Sequence, residues 1–284
     1  MNQASFRLTM SDGTFSRFSA LINRRLGLRM PVAKKLMLQS RLIKRLRALN
    51  MSSFDEYYDY IHSEADSGQE MLQFINTVTT NKTDFFREPK HFDFMRSTVL
   101  PSLINSGRPE KNHLRIWSVA CATGEEPYTL AIVMEETLEN LPSISYSILA
   151  TDISTKVLKV AHLGIYEGSR LDTMPDYLKK KYFLISKDRN DPRVRVVPLL
   201  RSRVTFSWLN LTQEDFRVRE MMDIIFCRNV MIYFDRETQE RVLHNLCKLL
   251  RPGGYLFMGH SETLCNCGRL HLAPLVPSVY RKQD

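Results

Sequence analysis

Residues 114–127 read Leu-Arg-Ile-Trp-Ser-Val-Ala-Cys-Ala-Thr-Gly-Glu-Glu-Pro, and no other stretch limits the fold as much. Ile116 to Ala120 make a mostly apolar run of strand length. The small residues at 120–124 then turn the backbone into a helix predicted over 127–138. A strand, a tight turn and a helix form a cradle in which main-chain N–H groups approach a ligand, with Gly124 taking conformations that other residues resist. The signature Gly-x-Gly-x-x-Gly is absent, so spacing alone leaves a nucleotide-like site and a plain strand-to-helix turn equally open. The next strand pattern, Tyr-Ser-Ile-Leu-Ala-Thr-Asp at 146–152, tilts the balance. Asp152 falls at a strand's C-terminal end, where a carboxylate can accept from both hydroxyls of a ribose. The alternative for Asp152, which opens Asp-Ile-Ser-Thr, is a helix N-cap.

The alternation continues downstream. A helix is predicted over 154–163 and a short one over 175–183. A buried strand over 222–229 ends in Arg228 and Asn229, an amphipathic helix spans 236–250, and a strand follows at 255–259 after Arg-Pro-Gly-Gly. Strands alternating with helices imply a mostly parallel, doubly wound α/β sheet, in which ligands bind beyond the C-terminal strand ends. Glu125, Asp152, Asn210, Arg228 and Asn229 all follow predicted strands, so they are expected along one rim. Between about 188 and 209 the pattern has period two, at 193–198 and again at 203–210. This stretch reads as an extended insertion rather than another strand–helix unit.

The N-terminal part is different. Residues 11–80 carry four helical patterns and make a small all-helical domain, 81–92 a polar linker with Phe85, Phe86 and Phe92, and 93–284 the sheet domain. The net charge of +9 is concentrated here, because residues 1–50 hold eleven Lys and Arg against one Asp. On the predicted second helix, Leu38, Leu42, Leu46 and Leu49 fall between about 40° and 120° of arc from Lys34, while Arg41, Lys44 and Arg45 fall on the opposite side beside Lys34. One face packs and the other is cationic. That face is open to three readings: a solvated surface, an acidic protein partner, or nucleic acid.

No apolar run reaches the eighteen or so residues of a membrane span and the opening residues lack a signal-peptide core, so a cytoplasmic protein without direct membrane insertion is expected. Five cysteines without framework spacing fit a reducing compartment. Cys121 and Cys227 read as inert core thiols. His260, Cys265, Cys267 and His271 are a poor zinc set, and no metal is expected.

Five blocks carry a resemblance: Thr80-Asn-Lys-Thr-Asp-Phe-Phe-Arg-Glu88, Ala120-Cys-Ala-Thr-Gly-Glu-Glu-Pro-Tyr128, Ala150-Thr-Asp-Ile153, Phe226-Cys-Arg-Asn-Val-Met-Ile-Tyr-Phe-Asp235 and Gly253-Gly-Tyr-Leu-Phe-Met-Gly-His-Ser-Glu262. Together they resemble the CheR family of chemotaxis receptor methyltransferases over residues 12–281. The resemblance implies a Rossmann-like S-adenosylmethionine-dependent sheet with an all-helical N-terminal domain and a small antiparallel β insertion. It implies methyl esterification of chemoreceptor glutamates, with S-adenosylhomocysteine as product, and a role in adaptation. Asn81, Thr83, Arg87, Glu125, Asp152, Asn210, Leu211, Arg228 and Asn229 would line the cofactor site, with Arg87 and Tyr233 at its catalytic end. Lys34, Arg41, Lys44 and Arg45 would dock on receptor helices, and the insertion around 193–208 grips a receptor's C-terminal tail peptide in some members. The rivals are a nucleic-acid methyltransferase and a cofactor-binding adaptor without activity. Against the first, the strand ending at Asn229 lacks the Asn/Asp-Pro-Pro-Tyr/Phe turn that holds a base. Against the second, Arg87 and Tyr233 are both present.

Overall fold

The structure is a computed structural model that describes residues 8–63, 68–105, 113–188, 190, 192–262, 264 and 267–283. The chain divides into two compact units, one formed by Met1–Thr80 with Tyr233–Thr238, the other by Asn81–Ile232 with Gln239–Asp284.

The first unit contains α1 (Asp12–Leu26), α2 (Lys35–Ala48), α3 (Phe54–Tyr60) and α4 (Gln69–Val78). Ser11 starts α1 by accepting the Thr14 N–H at 3.0 Å, and Gly27 ends it in the left-handed conformation. Phe15, Phe18, Leu21, Ile22 and Leu26 form the buried stripe of α1, as their spacing requires. From α2, Leu38, Leu42 and Leu46 are buried, while Leu36 is 75% exposed.

Two of the expected docking cations hold this unit together. Arg45 donates to both oxygens of the buried Glu70 carboxylate, at 2.9 and 2.5 Å, and the Tyr57 hydroxyl donates to the same group at 2.8 Å. Arg41 donates to the Val78 and Thr79 carbonyls at 2.6 and 3.1 Å and so caps α4. Arg41 and Arg45, expected as docking cations, thus carry structural bonds within the unit. Helical periodicity places a side chain on a face but does not show what another helix brings to it. Lys44 and Arg47 are exposed, and Lys34 is half-buried.

The segment Tyr233–Thr238 belongs to this unit through several contacts. Leu28 bridges to Phe234, the Arg29 N–H donates to the Tyr233 carbonyl at 2.7 Å, and Asn23 donates to Asp235 at 3.3 Å. The Lys34 ammonium lies 5.4 Å from the centroid of the Tyr233 ring.

The second unit opens with a helical stretch: α5 (Pro89–Phe94), a π-helical segment (Met95–Val99) and α6 (Leu100–Asn105). The irregular linker thus stops at Glu88, because Pro89 occupies the first helical position, where its missing N–H costs nothing. Then follow β1 (His113–Val119), α7 (Glu125–Leu138), β2 (Ser145–Asp152), α8 (Thr155–Leu163), β3 (Ile165–Glu167), α9 (Asp176–Tyr182), β4 (Phe183–Ile185), β5 (Arg193–Val196), α10 (Pro198–Arg203) and β6 (Val204–Trp208). The chain ends with β7 (Met222–Cys227), α11 (Arg236–Leu249), β8 (Leu250–Met258), β9 (Leu272–Val276) and β10 (Val279–Lys282).

The main sheet has the order β6-β2-β1-β7-β8-β10-β9, and a separate three-stranded sheet has the order β3-β5-β4. Strands from β6 to β8 pair parallel, and β10 is antiparallel to both β8 and β9. Every residue of β7 is buried, as a strand covered on both faces requires. After β1 the chain builds one side of the sheet, and it crosses to the other at β7. This reversal opens a crevice beyond the ends of β1 and β7.

The extended stretch near 188–209 divides between the two sheets. β5 is the middle strand of the small antiparallel sheet, whereas β6 is the edge of the main sheet, with Trp208 opposite Asp152. The small insertion accordingly runs from Ile165 to Val196. The alternation at 203–210 misleads because an edge strand with one face toward water shows the same period-two pattern as a freestanding hairpin. Phe85 packs edge-on against Tyr166 and Phe183, and Phe92 stacks on Phe226, so these linker aromatics are packing residues.

Candidate cofactor site

The turn after β1 is unusual backbone. Ala120, Ala122 and Gly124 all have positive φ, at 55°, 48° and 97°. Two alanines in the left-handed region persist only where their surroundings fix them, and such strain collects at ligand sites. The Cys121 N–H donates to the Thr151 carbonyl at 2.9 Å, and the Ala122 N–H to Asp152 Oδ2 at 2.9 Å. Tyr166 donates to the Thr123 carbonyl at 2.8 Å. A Cβ at Gly124 would stand 2.8 Å from the Ala161 Cβ and 3.0 Å from the Tyr166 hydroxyl, so only glycine lets the turn close against α8.

Asp152 ends β2 and is buried. Its Oδ1 accepts the Ser154 N–H at 2.8 Å, while the cap of α8 is Ser154 itself, whose Oγ accepts the Val157 N–H at 3.4 Å. Asp152 is thus not the helix cap. It is a carboxylate fixed by main-chain donors, with lone pairs remaining on both oxygens. Burial raises its pKa, and the N–H groups of Ser154, Ala122 and Ile153 oppose that rise. The Leu209 N–H donates to the Asp152 carbonyl at 3.0 Å, which sets Asn210 and Leu211 next along the rim. Asn210 Oδ1 accepts from the Thr212 N–H and hydroxyl at 3.0 and 2.8 Å.

Glu125, in the first turn of α7, is 1% exposed. Thr123 donates to its Oε2 at 2.6 Å, and Arg170 makes a close ion pair with its Oε1. The same guanidinium donates to the Thr83 carbonyl at 2.5 Å and to Asp84 at 3.1 Å. Arg170 therefore fastens the linker to the start of α7. It has no place in any motif of the chain, so nothing local points to it.

The linker is fastened a second time by Arg228, whose side chain is 2% exposed. It donates to the Arg87 carbonyl, lies 3.3 Å from Glu88 and 3.6 Å from Glu126, and faces the rings of Phe92 and Phe226. Its charge is directed inward. Burial raises the pKa of Glu126 against the pull of Arg228 and Ser118. Burial also works to raise Glu88, but Arg228 and Asn229 outweigh it and hold that carboxyl below its usual value. Arg87 itself donates to the Lys82 carbonyl at 2.9 Å, and Asn81 and Thr83 are half-buried on the same linker. Burial, together with the Asp152 carboxylate, pushes the Cys121 thiol well up, and burial does the same to Cys227.

Asn229, with φ 58°, donates to Glu88 at 3.1 Å. Its own N–H goes to Glu262 at 2.8 Å, and Glu262 also accepts from the N–H groups of Gly259, Met231 and Ile232 at 2.7, 2.8 and 3.4 Å. One buried carboxylate thereby ties the loop after β7 to the loop after β8. A Cβ at Gly259 would stand 2.6 Å from Asn229 Nδ2.

Glu88, His91 and His260 bring possible metal-ligand atoms within 4.8 Å of one another. The Arg228 guanidinium already sits on the same Glu88 oxygen, so a second cation would meet strong repulsion there. Of the four residues weighed as a zinc set, Cys265 and the side chain of Cys267 lie outside what the structure describes. A cavity of about 600 Å3 lies along β2 and β6, lined among others by Ser147, Thr151, Trp208, Phe216 and Arg219, and none of the expected cofactor residues lines it.

The rim thus gathers Glu125, Asp152, Arg228 and Asn229, with the linker carrying Asn81, Thr83 and Arg87 bonded to it. Tyr233 lies in the segment that joins the helical unit. The donor set suits S-adenosylmethionine: a carboxylate at the start of α7 for an ammonium group, a buried carboxylate for ribose hydroxyls, and a strained turn of small residues.

Comparisons with known proteins agree with this reading. Residues 81–273 match the family described as CheR methyltransferase, SAM binding domain, and residues 13–79 match its all-alpha domain. A chemotaxis protein methyltransferase of Borreliella burgdorferi is 37% identical, over 99% of this chain and 98% of that protein. Chemotaxis protein methyltransferase 2 of Pseudomonas aeruginosa is 42% identical, over 96% and 92%. The Escherichia coli chemotaxis protein methyltransferase is 39% identical, over 94% and 90%. With both units matched and the crevice furnished as this cofactor requires, the chain belongs to the CheR methyltransferase family and is an S-adenosylmethionine-dependent methyltransferase.

Proposed function

We propose that this protein transfers methyl groups to glutamate side chains on the cytoplasmic helices of chemoreceptors, giving methyl esters and S-adenosylhomocysteine and so tuning receptor adaptation. The observation that carries the proposal is the convergence of Glu125 and Asp152 on one rim beside a linker that bears Asn81, Thr83 and Arg87. The named relatives are chemotaxis methyltransferases, which supports receptors as the substrate class.

Bound S-adenosylmethionine supplies an electrophilic methyl group on sulfur. Asp152 holds the ribose hydroxyls, Glu125 holds the amino group, and Asn210 and Leu211 border the base. A glutamate with a reference pKa of about 4.3 is ionised at neutral pH, so no strong general base is needed. The task left to the protein is placement of a carboxylate oxygen in line with the methyl group. Arg87 steers that carboxylate through a charge-assisted pair. Lys34, Lys44 and Arg47 supply the cationic surface of the helical unit for an acidic receptor helix. Where a receptor tail peptide is also held, the edge of the small sheet at β4, with Leu184 and Ile185 exposed, is the strand open to it.

The test is incubation of the full chain with tritiated S-adenosylmethionine and receptor-bearing membranes. Label on the receptor that is released as methanol in alkali is expected. Alkali-stable label, or label only on added RNA, would overturn the reading.

A further inference from the structure

Glu125 is almost fully buried, and the cation that the structure pairs with it is Arg170. The two come from elements 45 positions apart, the start of α7 and the turn after β3. The methionine end of the cofactor is a zwitterion. If Glu125 took the ammonium group alone, the neighbouring α-carboxylate would lie close to the Glu125 carboxylate, and the two anions would repel. The ion pair already on the page is complementary to both charges at once. Arg170 also has capacity for a further acceptor. Its contacts to Glu125, Thr83 and Asp84 use three of the five guanidinium N–H donors, and its side chain is 37% exposed, whereas that of Glu125 is 1% exposed. Arg170 is the half-open member of the pair.

We propose that Arg170 is a positioning residue that anchors the α-carboxylate of the cofactor while Glu125 takes its ammonium group. The proposal rests on the cofactor site described above. It adds a second consequence, since Arg170 also holds the Thr83 carbonyl and Asp84, so loading of the amino-acid end is coupled to the position of the linker that carries Arg87.

The experiment is calorimetric titration of the full chain with two ligands. S-Adenosylhomocysteine carries the amino-acid end, and 5′-methylthioadenosine keeps the adenosine and sulfur but lacks it. Arg170→Gln should weaken S-adenosylhomocysteine by about tenfold or more, the usual effect of losing a charge-assisted bond, and leave methylthioadenosine within about twofold. Arg170→Lys should recover part of the loss, because the charge returns without the fork. Steady-state assays should show the same split, with KM for the cofactor raised. Equal weakening of both ligands would mean that Arg170 acts only by holding the linker, and no weakening of either would mean that it is dispensable; each outcome overturns the proposal. Failure of the unaltered protein to bind S-adenosylhomocysteine at all would overturn the cofactor reading beneath it, and so is distinguishable.

Discussion

Arg45 and Glu70, 25 positions apart, face one another through two parallel bonds inside the helical unit, with the Tyr57 hydroxyl on the same carboxylate. Removing one member of a buried pair leaves the other charge uncompensated, which costs about 3–5 kcal/mol. Arg45→Met should therefore destabilise the helical unit by that order in urea denaturation. Lys44→Glu, on the exposed face, should change stability by less than ~0.5 kcal/mol yet lower the rate of receptor methylation. Equal stability of the two variants would remove the distinction between structural and docking cations.

Gly124 offers a stringent test of the cradle. Gly124→Ala places a methyl group 2.8 Å from Ala161 and forces a side chain to φ 97°. Strain of about 1–3 kcal/mol is expected, together with at least tenfold weaker binding of S-adenosylhomocysteine. Calorimetry and a thermal melt read both. Unchanged affinity would show that the turn does not approach the ligand.

Glu262 accepts four main-chain N–H groups from two loops. Glu262→Gln replaces an acceptor oxygen with a donor amide that faces those N–H groups, and hydrogen bonds to charged groups contribute about 1.5–3 kcal/mol each. A loss of that order in denaturant stability should accompany faster amide exchange at Asn229, Met231 and Ile232. Exchange unchanged at these three positions would contradict the tie between the loops.

His91 supplies a pH prediction. Burial, and then the Arg228 charge, lowers its pKa from 6.5 to about 4, against the opposing pull of Glu88 and with His260 adding to the depression. The folded state thus binds this proton less readily than the unfolded chain. The stability that a neutral His91 contributes is fully present above about pH 6.5 and is lost as pH falls toward 4. His91→Phe should flatten the decline of the urea midpoint over that window. An identical slope in both proteins would assign the acid sensitivity to other groups.

Much of this was legible because it is local. The strand, turn and helix around Gly124 show in the small residues at 120–124, and Asp152 shows at the end of an apolar run. The order of strands and helices shows the doubly wound sheet. What was hidden depends on distant partners. No periodicity shows that Glu70 meets Arg45 or that Val78 and Thr79 meet Arg41, so both arginines read as surface charge. Arg170 lies outside every motif and is placed only by the turn after β3. β6 was misread because one exposed face gives an edge strand and a freestanding hairpin the same alternation.

The helical unit is completed by Tyr233–Thr238, six residues that arrive more than 150 positions after its last helix. During synthesis the first 80 residues leave the ribosome long before this segment exists, and domains generally form as they emerge. Until residue 238 is made, Leu28, Arg29, Lys34 and Asn23 lack their native neighbours Phe234, Tyr233 and Asp235. A fragment ending at Thr80 is therefore a shorter object than the unit it is meant to represent. Supplying residues 233–238 as a peptide, or appending them by a linker, is the fair way to isolate it.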